Sequence, residues 1–211
     1  MPLFLRAMRD HYPDDDTRSA DTMTGFVALS GSYACGQIVP SRMVHSEHLL
    51  DWGCGFSGFS TGGTVPTVEE AKPAMAKAWR DSLARVGLAE IEDARPGPTE
   101  RKAPPPPDVG AWIPGPVFSD LDHPVVIHQP RRMSVTSGEL LVGLLHEINR
   151  APYAGQWTWE ISGTRSNPEG FVWNGHQPTL GEAQAALIGA WAKWLQWAGL
   201  RQKEPLRWSS G

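Results

Sequence analysis

The residues with the most chemical potential lie between 35 and 58. In WGCGFSG, residues 52–58, Gly53, Gly55 and Gly58 satisfy the spacing G-x-G-x-x-G. In a dinucleotide-binding turn such glycines let the backbone approach a pyrophosphate at the N-terminus of the next helix. The same region holds four side chains able to bind zinc, Cys35, His45, His48 and Cys54. Their spacing matches no specific zinc pattern, so no metal is expected. Ser57 lacks the G-x-S-x-G context of a nucleophile elbow. Glu147 and Glu160 form a carboxylate pair only if the fold brings them together. No catalytic constellation and no cofactor are read from the chain, and the expectation is a non-enzymatic protein.

What must position these residues is a pair of related segments. Residues 66–88, PTVEEAKPAMAKAWRDSLARVGL, align without a gap on residues 178–200, PTLGEAQAALIGAWAKWLQWAGL. Thr67 and Thr179 each precede a glutamate by three residues, Glu70 and Glu182, which is the signature of a capping box. Val68, Ala71, Met75, Trp79, Leu83 and Val86 recur at spacings of three and four, and the second copy repeats that stripe, so each helix buries one face. Gly87 and Gly199 supply the left-handed residue that ends each helix, and Pro73 is expected to kink the first.

Upstream, Trp52, Cys54, Phe56 and Gly58 match Trp157, Trp159, Ile161 and Gly163, with seven extra residues in the second copy. WTWEISG alternates apolar and polar residues as a half-buried strand does, and FVW at 171–173 is expected to be its returning partner. Earlier strands are expected at 34–39 and 140–148. By this alignment WGCGFSG is a strand, and the helix cap at Thr67 stands too far beyond Gly58 for a phosphate turn.

The expected fold is α+β: two related units, each a two- or three-stranded antiparallel sheet packed on one C-terminal helix. Residues 1–24 read as a loose polar arm, 25–88 as the first unit and 89–110 as a Pro-rich linker containing four consecutive prolines. Residues 111–211 form the second unit with an N-terminal extension.

Two cysteines cannot make a disulfide framework, and no run approaches the roughly 18 apolar residues of a membrane span, so a cytoplasmic location is expected. The ten tryptophans are more telling, because the second helix carries Ile188, Trp194 and Trp197, and Trp208 follows in the tail. With so much of its circumference apolar, that helix needs a cover. Either the other unit or the Pro-rich segment AWIPGPVF at 111–118 supplies it, or these four residues bind a protein partner or a second copy.

The pattern W-x-W-x-I, a short glycine-containing hairpin and T-L-x-E-A-x-A-A followed by Trp191 and Leu195 resembles small uncharacterised proteins of alphaproteobacteria and their phages, in which a TLEEAKAA helix follows a tryptophan-bearing strand. The resemblance covers residues 137–200 well and 34–88 less well. It implies a phage or mobile-element setting and no activity. The alternative is a nucleic-acid-binding protein that uses its sheet-and-helix modules. Against it, the formal net charge is −4, the outward residues Thr158, Glu160, Asp51 and Ser57 are neutral or acidic, and Arg131, Arg132, Arg201, Lys203 and Arg207 are expected off the sheet.

Overall fold

The computed structural model describes residues 3–12, 24–42, 48–56, 58–92, 94, 131–149, 152–164 and 167–210. His45, Ser57 and most of the Pro-rich segment lie outside the described residues. The first half runs β1 (Phe4–Ala7), α1 (Met8–His11), β2 (Phe26–Ser30), β3 (Tyr33–Pro40), β4 (Leu50–Phe56), β5 (Phe59–Val65), α2 (Val68–Arg85) and β6 (Leu88–Glu90). The second runs β7 (Arg132–Ser137), β8 (Leu140–Glu147), β9 (Trp157–Ile161), β10 (Asn174–Gln177), α3 (Leu180–Trp197), β11 (Leu200–Gln202) and β12 (Arg207–Ser210). Two five-stranded antiparallel sheets result, ordered β1-β2-β3-β4-β5 and β10-β9-β8-β7-β12, while β6 pairs with β11. The chain is α+β, with more strands per sheet than its alternation of apolar residues announces.

Both long helices start where their threonines cap them. Thr67 Oγ1 accepts from the Glu70 N–H at 3.2 Å, and Thr179 Oγ1 does the same for Glu182. Only α3 closes the reciprocal half, with Glu182 Oε2 accepting from the Thr179 N–H at 3.1 Å and from its hydroxyl at 2.9 Å. Thr179→Ala should therefore cost about 1 kcal/mol and Thr67→Ala less than that. Equal costs in urea titrations would contradict the difference. Helix α2 runs unbroken through Pro73. Both helices stop at a left-handed glycine, Gly87 (φ 66°) and Gly199 (φ 68°).

The buried stripes, Ala71, Met75, Trp79 and Leu83 on α2 and Ala183, Leu187, Trp191 and Leu195 on α3, pack against their sheets. Strand β9 alternates buried and half-buried positions as expected. Its partner is not FVW but the next four residues. Trp173 contributes one carbonyl, accepting from the Ile161 N–H at 2.7 Å, before β10 begins. Residues 3–12 are not a loose arm: β1 pairs with β2, and α1 folds back so that Met8 packs on Val27 and Leu29.

The pairing register also corrects the alignment upstream of the helices. Trp52 lies opposite Ile38 and Gly63, and Trp159 lies opposite Leu145 and Gly175. Each indole covers its glycine: a Cβ on Gly63 would meet Trp52 Nε1 at 3.2 Å, and one on Gly175 would meet Trp159 Nε1 at 2.8 Å. Trp52 therefore corresponds to Trp159, two residues from the expected match, and the second half carries five extra residues before its helix rather than seven. Because side chains alternate with period two, this slip preserves which face each residue lies on.

One core unites the halves, since a single cluster of buried residues includes Ile38, Phe56 and Trp79 together with Leu145, Trp159 and Trp191. Contacts between the halves come in matched pairs. Leu88 faces Gln202, Ala89 faces Arg201 and Glu90 faces Leu200. The Ile91 N–H donates to Gly199 O at 2.8 Å and the Lys203 N–H to Gly87 O at 2.9 Å. The β2–β3 turn reaches the end of α3, Ser32 N–H donating to Trp197 O at 3.3 Å, and the β7–β8 turn reaches the end of α2, Glu139 N–H donating to Arg85 O at 3.2 Å. These bonds satisfy carbonyls that a helix terminus otherwise leaves without partners.

Candidate interaction surface

The glycines of WGCGFSG build no anion cradle. Gly53 is in the middle of β4, and Gly55, at φ 144°, lies so close to β5 that a Cβ would fall 2.0 Å from Phe59 O. The next helix begins only after all of β5. Of the zinc candidates that are described, only the two thiols come together. Cys35 and Cys54 are buried in the core, His48 is exposed and His45 lies outside the described residues. Among the described residues no group of three or more His, Cys, Asp or Glu side chains could hold a metal ion. Burial, reinforced by the neighbouring Cys54 thiol, holds the Cys35 thiol well above its ordinary range, and its Sγ donates to Ala28 O at 3.4 Å. Such a thiol is protonated at neutral pH and a poor nucleophile. Glu147 and Glu160 fall on opposite faces of the second sheet, Glu147 beside Trp157 and Arg131, so they do not act together.

The four proposed contact residues separate. Trp194 has no exposed surface; it stacks on Trp191 at 5.0 Å and meets Tyr33 of the first half edge-on at 5.2 Å. Tyr33 continues to Phe56, and Phe56 to Trp79, so rings cross from one helix to the other through the core. Trp194 thus cannot anchor a partner: its cover is the other half of the same chain. Trp197 and Trp208 are half-buried against that core, and only Ile188 is an exposed large apolar residue. Polar ties back the aromatic ones. Trp79 Nε1 donates to Glu90 Oε1 at 3.1 Å; at the matching place Trp191 Nε1 donates to Gln202 Oε1 at 2.9 Å. Gln202 Nε2 then donates to Ser137 Oγ, which donates to Val86 O of the other half.

The sheet faces turned away from the helices are treated differently. On the first sheet, Val27 and Leu29 are buried under Met8, with Tyr12, Ala34 and Val39 packed around them. On the second, the same register positions hold Ser134, Thr136, Leu141 and His146. No described residue packs over them as α1 does over the first sheet. Pairing sets this outer face in rows. His176, Thr158, His146 and Arg132 form one, and Asn174, Glu160, Leu144, Ser134 and Ser209 the next. Past a bulge, Leu141, Thr136 and Arg207 form a third. Arg132 and Arg207 are on strands β7 and β12, not off the sheet. Tyr153, 55% exposed, stacks with His176 at 6.3 Å.

Among the described residues, most of the exposed large hydrophobics belong to the second half as well: Leu141, Tyr153, Val172, Trp173 and Ile188, against Phe4 in the first. An open cleft of about 340 Å³ beside α2 and β6 sets Arg80 and Lys203 against Glu90 and Glu92, with no excess of either charge. Among the described residues no helix is long and apolar enough to cross a membrane. The chain matches no protein-family model, no curated protein and no solved structure.

Proposed function

We propose that the chain is a non-catalytic binding protein made of a duplicated sheet-and-helix unit, with the outer face of its second sheet as the contact surface. The duplication is supported by the paired cross-contacts of β6 with β11 and by Trp52 over Gly63 repeating as Trp159 over Gly175. In a duplicated protein the informative positions are those where the copies differ. The observation that carries the function is the exchange of Val27, Leu29 and Val39 for Ser134, Thr136 and His146. The first set is covered by the chain itself; the second is hydrophilic, half-buried and covered by no helix among the described residues. A sheet face needs polar residues only where it meets water or a polar partner.

The test is affinity capture from an extract of the source organism, comparing the wild type with Ser134→Glu/Thr158→Glu on the face and Lys193→Glu on the exposed side of α3. The face pair should lose its captured partners with its thermal midpoint unchanged, while the helix variant keeps them. Identical captures by all three proteins would reject the face as the contact surface.

A further inference from the structure

We infer that Cys35 and Cys54 are a disulfide-forming pair, a modification site that staples β3 to β4 and is independent of the outer face. They are the two cysteines of the chain, and the fold seats them side by side in the core. The pairing of β2 with β3 slips between Ala28 and Leu29, which lie opposite Gly36 and Ala34, so Cys35 is the extra residue of a bulge. Cys35 therefore shares the helix-facing side with Gly36, and Cys54 lies directly opposite Gly36 on β4. One step across the pair, about 5 Å, and one residue along the strand, about 3.4 Å, put the two Cα atoms about 6 Å apart, inside the span that a disulfide bridges. Gly36 brings no side chain between them; a Cβ there would fall 3.1 Å from Cys54 Cα. The two thiols are hydrogen-bond partners.

Packing alone does not require sulfur at this place. In the second half the β7–β8 pairing slips at the matching position, Val135 facing Gly143 and Thr136 facing Leu141, which makes Val142 the bulged residue. Gly143 in turn faces Ile161. The same bulge and the same glycine thus bring Val142 and Ile161 to where the first half holds Cys35 and Cys54, and all four are buried. Both cysteines of the chain fall on the two members of one contact that hydrocarbon fills in the other half. Closing it takes a small disulfide such as oxidised glutathione as the oxidant. One protein thiolate attacks it, displacing a glutathione thiolate and leaving a mixed disulfide; the second attacks the protein sulfur of that bond and expels the other glutathione. Two electrons and two protons pass to glutathione, and the product is a neutral bridge suited to an apolar core. With each residue only 2% exposed and Cys35 held protonated, an oxidant does not reach the pair in the folded chain. The bridge is therefore set while the sheet is open, and folding locks it against reduction.

The full chain, reduced in urea and refolded either with a mixture of reduced and oxidised glutathione or with reductant alone, tests this. Glutathione refolding should give a monomer lighter by two hydrogens, with no titratable thiol and with the Cys35 and Cys54 peptides linked; refolding in reductant should leave both thiols free. Closing the loop from 35 to 54 in the unfolded chain should raise the thermal midpoint by roughly 5–10 °C. Dithiothreitol should open the bridge at least about a hundredfold more slowly in the folded chain than in urea. Cys35→Val/Cys54→Ile, which copies the second half, should fold and melt alike under both conditions. Where refolding fails, the same thiol count and peptide map on chain exported to an oxidising compartment decide the matter. Two free thiols after oxidation, separate glutathione adducts, bridges between chains, or a bridged form that melts below the reduced one overturns the pairing. Equally fast reduction of folded and unfolded chain overturns the locked state.

Discussion

Trp194→Ala is expected to lower the free energy of unfolding by about 3–5 kcal/mol, the range for deleting a fully buried large aromatic. For a chain of this size that corresponds to a fall in thermal midpoint of roughly 10 °C. The size of the effect follows from where the ring sits. Trp194 is completely buried, between Trp191 of its own helix and Tyr33 of the other half. The corresponding residue of α2 is Ser82, so no second tryptophan from that side can close the gap. Guanidinium titrations with an unchanged denaturant slope would report a pure loss of packing, while a smaller slope would mean that the halves separate before they unfold. Ile188→Ala is the control. Ile188 lies on the same helix but is 45% exposed, and its loss should fall within about 0.5 kcal/mol. A Trp194→Ala variant as stable as that control would remove the case for an aromatic seam between the halves.

The same residue shows what a linear chain conceals. Its surplus of apolar groups on α3 correctly demands a cover, but nothing in WAKWLQW says whether the cover is another part of the protein. That depends on β6 pairing with β11, and LAE and LRQ are too short to show alternation. Helices were readable because their signals are local: a threonine cap, a stripe and a terminal glycine. Strands were readable where one face is buried, as in WTWEI, and not at the sheet edges. FSTGGTV and RWSS draw their order mainly from backbone pairing, so their side chains carry little pattern.

The register error has a similar cause. Tryptophan recurs at 157 and 159, and period-two alternation accepts either as the mate of Trp52. The signal that decides it lies downstream, where Phe59/Phe171 and Gly63/Gly175 extend the gapless helix alignment back through β5 and β10. On the candidate surface, alternation alone puts Thr158 and Glu160 outward. Arg132 and Arg207 lie on strands whose large apolar residues are only Met133, Val135 and Trp208 and which join the sheet's far edge from opposite ends of the second half, so their place on it is not legible locally.

Gly138→Ala should destabilise by about 2–5 kcal/mol, combining roughly 1–2 for a left-handed alanine with about 1–3 for forced repacking. Gly138 sits at φ 54° in the β7–β8 turn, and a Cβ there would lie 2.2 Å from Arg85 O and 2.8 Å from the carbonyl carbon of Val86. Both obstacles are backbone at the end of α2, so no rotamer change relieves them. The turn must back away, loosening the Glu139 N–H to Arg85 O and Ser137 Oγ to Val86 O bonds together. It also shifts the Arg85–Glu139 ion pair, whose hydrogen bond holds the Glu139 carboxyl below its ordinary range. That pair is solvent-exposed and contributes little; its share is present above the ordinary carboxylate range and is lost as pH falls through the lowered value. Gly31→Ala in the matching turn, also at φ 54° and 2.6 Å from Ala198 O, should behave alike. Gly155 is the discriminating comparison. It is left-handed at φ 86° but faces open space, so Gly155→Ala carries only the conformational cost of about 1–2 kcal/mol. If urea titrations gave all three substitutions the same cost, the turns would not be wedged against the opposite helices.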